Sequence, residues 1–254
     1  MGVASSNFSV TSNALLIAQG LLGLMAILLL VKKHAIGRYK SLTAILILLL
    51  IPGAVCGVVM PAVTHLYPSY PRSVFYAYYF YSYWSLTAAQ TILMFIFCCG
   101  IMVRSLLLLP GLQRDSIRAC IWAGSLICVY SAATAAYAHL VSARLLVATI
   151  SLIQMQLAAV SLCVILFVFV YMRRLGFERH SSLAWFNLGL LFSVLGIYAP
   201  LIWSHSPNGY VWCVIVQNLA ICIQLGCWIV ALALPEAVPQ GLRLSSDSFP
   251  LVWE

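Results

Sequence analysis

Few side chains in this sequence could do chemistry, and those that could are neutral. Gln90, Gln154, Gln217 and Gln224 are amides set inside long apolar runs, and Tyr76, Tyr79, Tyr83 and Thr87 lead up to Gln90 in steps of three and four. That spacing places them on one face of a helix. Phenol and amide groups in hydrocarbon need hydrogen-bond partners, because an unsatisfied polar group there is costly. The partner is either a neighbouring helix or a bound molecule. With aromatic bodies for contact area and amides for orientation, the molecule would be small and uncharged, or lipid-like.

Other chemistry is harder to assemble. His65, His139 and His205 fall near the same ends of their apolar runs. Three imidazoles on one membrane face are weak candidates for a zinc or copper site, since nothing in their spacing makes them converge. The nine cysteines all lie within apolar runs, without a CxxC or zinc-ligand spacing, and read as small packing residues. Asp115, Glu178, Glu236, Asp247 and Glu254 all stand in connectors or the tail. Carboxylate-free interiors argue against proton pumps, ion-coupled transporters and cation channels. With no paired carboxylates and no HExxH stretch, the chain reads as a non-enzyme that calls for no cofactor.

The elements that must position these residues follow from composition. Of 254 residues, 64% are hydrophobic and 7% charged, with mean hydropathy +1.05. Soluble domains carry about a quarter charged residues, so lipid must be the main solvent here. Seven runs have the roughly 20 apolar residues that a membrane helix needs. They extend from Asn13 to Val31, Ser41 to Thr64, Phe75 to Val103, Ile117 to Leu140, Arg144 to Met172, Leu183 to Trp203 and Tyr210 to Leu234. The predicted fold is all-α: one seven-helix transmembrane domain over residues 1–235 with a short tail, 236–254. In the fourth run, Ser131, Ala132, Ala133, Thr134 and Ala136 are expected to let helix backbones approach closely.

The net charge of +8 is concentrated in alternate connectors, at Lys32, Lys33, Arg38 and Lys40, at Arg104, Arg114 and Arg118, and at Arg173, Arg174 and Arg179. Arg72 and Arg144 alone stand at the other ends. The positive-inside rule then places the C-terminus in the cytoplasm and the N-terminus outside. Cations spread through connectors are not a nucleic-acid surface.

Two familiar seven-helix families do not fit. The last run lacks the lysine of retinal proteins. Met102-Val103-Arg104 replaces the acidic-arginine pair of rhodopsin-like G-protein-coupled receptors, and their Asn-Pro-x-x-Tyr pattern is missing. The run Tyr81-Ser82-Tyr83-Trp84, Arg144 followed by Gln154, Arg173-Arg174, and Gln224-Leu225-Gly226-Cys227-Trp228 before Pro235-Glu236 give another likeness. In these the chain resembles uncharacterised seven-helix membrane proteins of acidobacterial type. That resemblance implies a multi-pass protein of a bacterial inner membrane and no particular activity. Two functional expectations stand side by side. One is a sensory or ligand-binding protein with a pocket in the outer half, signalling through a membrane-protein partner. The other is an accessory subunit whose polar stripe is filled by neighbouring side chains. A transporter or membrane enzyme is the weaker third.

Overall fold

The computed structural model describes residues 2–54, 72–106, 110–138, 143–174, 182–203 and 209–234. They form α1 (Gly2–Lys32), α2 (Lys40–Ala54), α3 (Arg72–Ser105), α4 (Pro110–Ala138), α5 (Ala143–Arg174), α6 (Ser182–Trp203) and α7 (Gly209–Ala233). No strand occurs among the described residues. Backbone groups in lipid must be satisfied within the segment, which selects helices over open strands.

Six of the helices contain stretches long and apolar enough to cross a membrane: Thr11–Lys32, Ala77–Ser105, Gly111–Thr134, Leu145–Tyr171, Ser182–Ala199 and Val211–Ala233. The chain is thus a multi-pass membrane protein. The apolar part of α2, Lys40–Ile51, is shorter, and the remainder of the second expected span lies outside the described residues.

Side-by-side packing of α1, α2, α3, α5, α6 and α7 closes a ring, in which α7 returns to α1 and α3 also reaches across to α6. The fourth helix stands outside this ring, against α5 and more lightly against α3. Its small-residue run behaves accordingly. Ser131 is buried and donates to Gln156 Oε1 at 3.1 Å, whereas Ala132, Ala133 and Ala136 are exposed. The expected close backbone approach is therefore confined to one edge, because α4 has neighbours on only one side.

The cation-rich end of the ring is tied together by terminal carbonyls. The first helix stops at His34, whose φ of 51° is left-handed. Its N–H donates to Val31 O at 3.0 Å and that of Ala35 to Leu30 O at 2.9 Å, the pairing of a Schellman cap. Lys33 Nζ donates to Ala233 O at 3.0 Å, and Gln113 Nε2 to Val103 O at 3.1 Å, so side chains satisfy carbonyls that helix ends leave over. Arg104 donates to Arg38 O at 2.8 Å while its guanidinium lies 4.3 Å from the centre of the Tyr39 ring. These bonds gather the feet of α1, α3, α4 and α7 at one level.

Above those feet the middle of the ring is filled by aromatic groups. Tyr39 meets Phe186 at 5.4 Å between ring centres, Phe186 meets Phe97 at 5.6 Å, and Phe97 meets Trp228 at 5.4 Å. The last two contacts are edge-to-face, the arrangement ring quadrupoles favour. All four rings are buried.

Amides hold the helices elsewhere. Asn187, fully buried, donates to Ile165 O at 3.0 Å, and Gln19 Nε2 donates to Asn218 Oδ1 at 3.0 Å and to Asn218 O at 2.9 Å. Interhelical hydrogen bonds in membranes are worth about 0.6–2 kcal/mol. Asn187→Leu is expected to destabilise the purified protein by about 1 kcal/mol, read as a lower melting temperature in detergent.

Candidate ligand chamber

Three interhelical contacts fix the register of the helices around the ring. Gln224 Nε2 donates to Met94 Sδ at 3.8 Å, Phe97 stacks edge-on to Trp228, and the Cys98 thiol reaches Ser161 O at 3.8 Å. The faces that make these contacts are the interior faces of α3, α7 and α5.

Following each face away from the cation-rich end leads to an amide. Gln90 precedes Met94 by four residues and Phe97 by seven. Gln154 precedes Ser161 by seven, and Gln217 precedes Gln224 by seven. Steps of four and seven keep to one helix face. With the register fixed below them, the three amides lie within about one helical turn of the same level, roughly 10 Å beyond the aromatic plug. All three are half-buried, and none makes a hydrogen bond among the described residues.

The other expected site residues divide into two groups. Gln224 lies one turn deeper than that level, is buried, and is engaged by Met94. With Gln224 level with Met94, Gln217 stands three residues' rise above Gln90 and Gln224 four below it, so the two amides of α7 flank that level. Tyr79 and Tyr83 lie further along the α3 face, their rings 6.0 Å apart, with Tyr83 41% exposed. Tyr76 belongs to α3, but its side chain is outside the described ones. Thr87 and Thr91 donate back to Tyr83 O and Thr87 O at 2.9 and 2.8 Å, so their hydroxyl protons are committed to their own helix.

His65, His139 and His205 lie outside the described residues. No group of three histidine, cysteine or acidic side chains placed to hold a metal occurs among the described residues. Asp115 is the one carboxylate among them, at the foot of α4. Among the described residues, the level of the three amides presents hydrogen-bond donors and acceptors and no carboxylate. No protein family model matches the chain, nor does any curated protein or solved structure.

Sequence reasoning missed Tyr198, whose hydroxyl donates to Met155 O at 2.7 Å, next to Gln154 on α5. With that phenol committed to a backbone carbonyl, α6 is fixed against α5 at the amide level. The signal was available: a phenol deep in an apolar run must find an acceptor.

Proposed function

We propose that this chain is a small sensory or ligand-binding protein of a bacterial inner membrane. It crosses the bilayer seven times, with the N-terminus outside and the C-terminus in the cytoplasm, as the cation-rich connectors favour. Its ligand is an uncharged or lipid-like molecule held at the level of Gln90, Gln154 and Gln217, with Tyr79 and Tyr83 along the approach and Tyr76 above them. The observation that carries this reading is that three half-buried amides on interior faces share one level and lack partners among the described residues. Amides in lipid find partners, and a bound molecule with hydroxyl or carbonyl groups is one. The aromatic plug below closes the path toward the cation-rich end, so the ligand enters from the opposite end or from the side. Passing a signal on would require a membrane-protein partner.

The test is the variant Gln90→Leu/Gln154→Leu/Gln217→Leu, purified beside the parent and analysed by mass spectrometry for retained small molecules. At about 1 kcal/mol per lost hydrogen bond, retention is expected to fall by about 100-fold with little change in melting temperature. Equal ligand content in the two proteins contradicts the reading. A large loss of stability also contradicts it, because the amides would then be bonded to the protein.

A further inference from the structure

A wide cleft lies outside the ring, between α3 and α4. Gln113 ties the foot of α4 to Val103, and Ser131 ties its upper part to Gln156 of α5. Between these two points a cleft of about 440 Å³ separates the helices. Ile96 and Cys99 of α3, Ile117, Cys120 and Gly124 of α4, and Leu157 of α5 are among its walls. The walls are apolar apart from Ser125 and the thiols, which behave as small hydrophobes. At Gly124 the two helices come close, since a β-carbon there would stand 3.0 Å from the Phe95 ring.

The dimensions select the occupant. From Ile117 to Cys128 the α4 wall covers roughly 17 Å at 1.5 Å per residue. About 440 Å³ of room for atom centres over that length is an open groove roughly 9 Å from wall to wall once atomic radii are added, narrower than the 10–12 Å width of a helix. A partner helix does not fit, whereas a single extended hydrocarbon chain does.

Charge then specifies the kind of chain. Arg114 precedes Ile117 by three residues and Ile121 by seven, and Arg118 precedes Ile121 by three and Ser125 by seven. Arg114 therefore stands on the α4 face that forms the cleft wall, about one turn below Ile117, and Arg118 stands at the edge of that face beside the lower end of the cleft; both are exposed. Asp115 beside them leaves a net positive foot. The geometry points to an anionic phospholipid bound here, with one acyl chain in the α3–α4 cleft and its phosphate between Arg114 and Arg118. Basic pockets between membrane helices recognise anionic headgroups in this manner. Bound lipid fills the space that α4 leaves and holds that helix against the ring. This site is separate from the amide level, which faces into the ring.

The experiment uses the full chain, delipidated in detergent and examined by native mass spectrometry with phosphatidylglycerol or phosphatidylcholine of identical chains. Phosphatidylglycerol adducts are expected to exceed phosphatidylcholine adducts by about ten-fold, and Arg114→Gln/Arg118→Gln is expected to remove that preference. Added glycerol 3-phosphate should not compete, because it has no chain for the cleft. In the unmodified protein, phosphatidylglycerol with a diazirine in its acyl chain is expected to crosslink within residues 92–99 or 117–128. Equal retention of the two lipids, competition by glycerol 3-phosphate, or crosslinks confined to other helices each overturns the proposal. The triple glutamine-to-leucine variant is expected to bind phosphatidylglycerol unchanged, which separates this site from the chamber.

Discussion

Trp228→Ala is expected to destabilise the protein by about 3 kcal/mol, whereas Trp228→Phe changes it by less than about 1 kcal/mol. The two residues differ in what the ring interior loses. Trp228 is fully buried, with its ring edge-to-face against Phe97. In a membrane the unfolded helices already sit in hydrocarbon, so the transfer part of the usual core penalty is small. The cavity part remains, at about 24 cal/mol per Å³, and truncating an indole opens on the order of 100 Å³ or more. Phenylalanine keeps most of that volume. It also removes the indole N–H, which is buried without a hydrogen-bond partner. Losing an orphaned donor offsets the lost atoms. Melting temperatures of the detergent-purified variants check both values. A mild Trp228→Ala would mean that the plug does not close the ring.

Gly189→Ala is expected to destabilise the protein by about 1–3 kcal/mol, against the direction that helix propensity alone gives. Alanine in a helix interior is normally favoured over glycine by about 1 kcal/mol. At Gly189, however, the added β-carbon would stand 2.6 Å from Trp228 Nε1, 2.7 Å from its Cδ1 and 3.1 Å from Gln224 O. The indole has little room to withdraw, because it is fully buried and packed against Phe97. The backbone carbonyl cannot move without disturbing α7. Gly226→Ala, on the same helix as Trp228 but with nothing within 4 Å of the new methyl, is the control. It is expected to leave stability unchanged or raise it by up to about 1 kcal/mol. Thermal melting of the two variants side by side decides whether α6 and α7 meet at Gly189.

What the sequence could and could not disclose follows from the same contacts. Continuous apolar runs locate the spans because lipid admits only helices, and six of them stand in the structure near their expected places. The position of α4 outside the ring was not legible. Its run is as long as the others, and hydropathy does not say which neighbours a helix touches. The small-residue run at 131–136 pointed to close packing there, yet a close approach is found between α6 and α7 at Gly189 and Gly196. Those glycines are seven residues apart on one face, a pattern that could have been read. The amide level was partly legible. Gln90 and Gln154 could be placed by counting from helix ends, but α3, α5 and α7 have 34, 32 and 25 residues and their ends do not align. Contact register, which no end-count contains, sets Gln217 about one turn above the level of Gln90 and Gln154 and Gln224 about one turn below it.

The proposed chamber requires a ring of helices plugged at its cation-rich end and accessible at the level of three amides. Substituted-cysteine labelling of membrane vesicles reads that accessibility. The nine native cysteines are first replaced, and Gln90→Cys, Gln154→Cys and Ser161→Cys are made singly. Ser161 is buried on the same α5 face as Gln154, at the level of Cys98. A small water-soluble thiol reagent is expected to modify Gln90→Cys and Gln154→Cys and to leave Ser161→Cys unreacted. Reaction at Ser161→Cys, or protection at both glutamine positions, would contradict a chamber that is open above its plug.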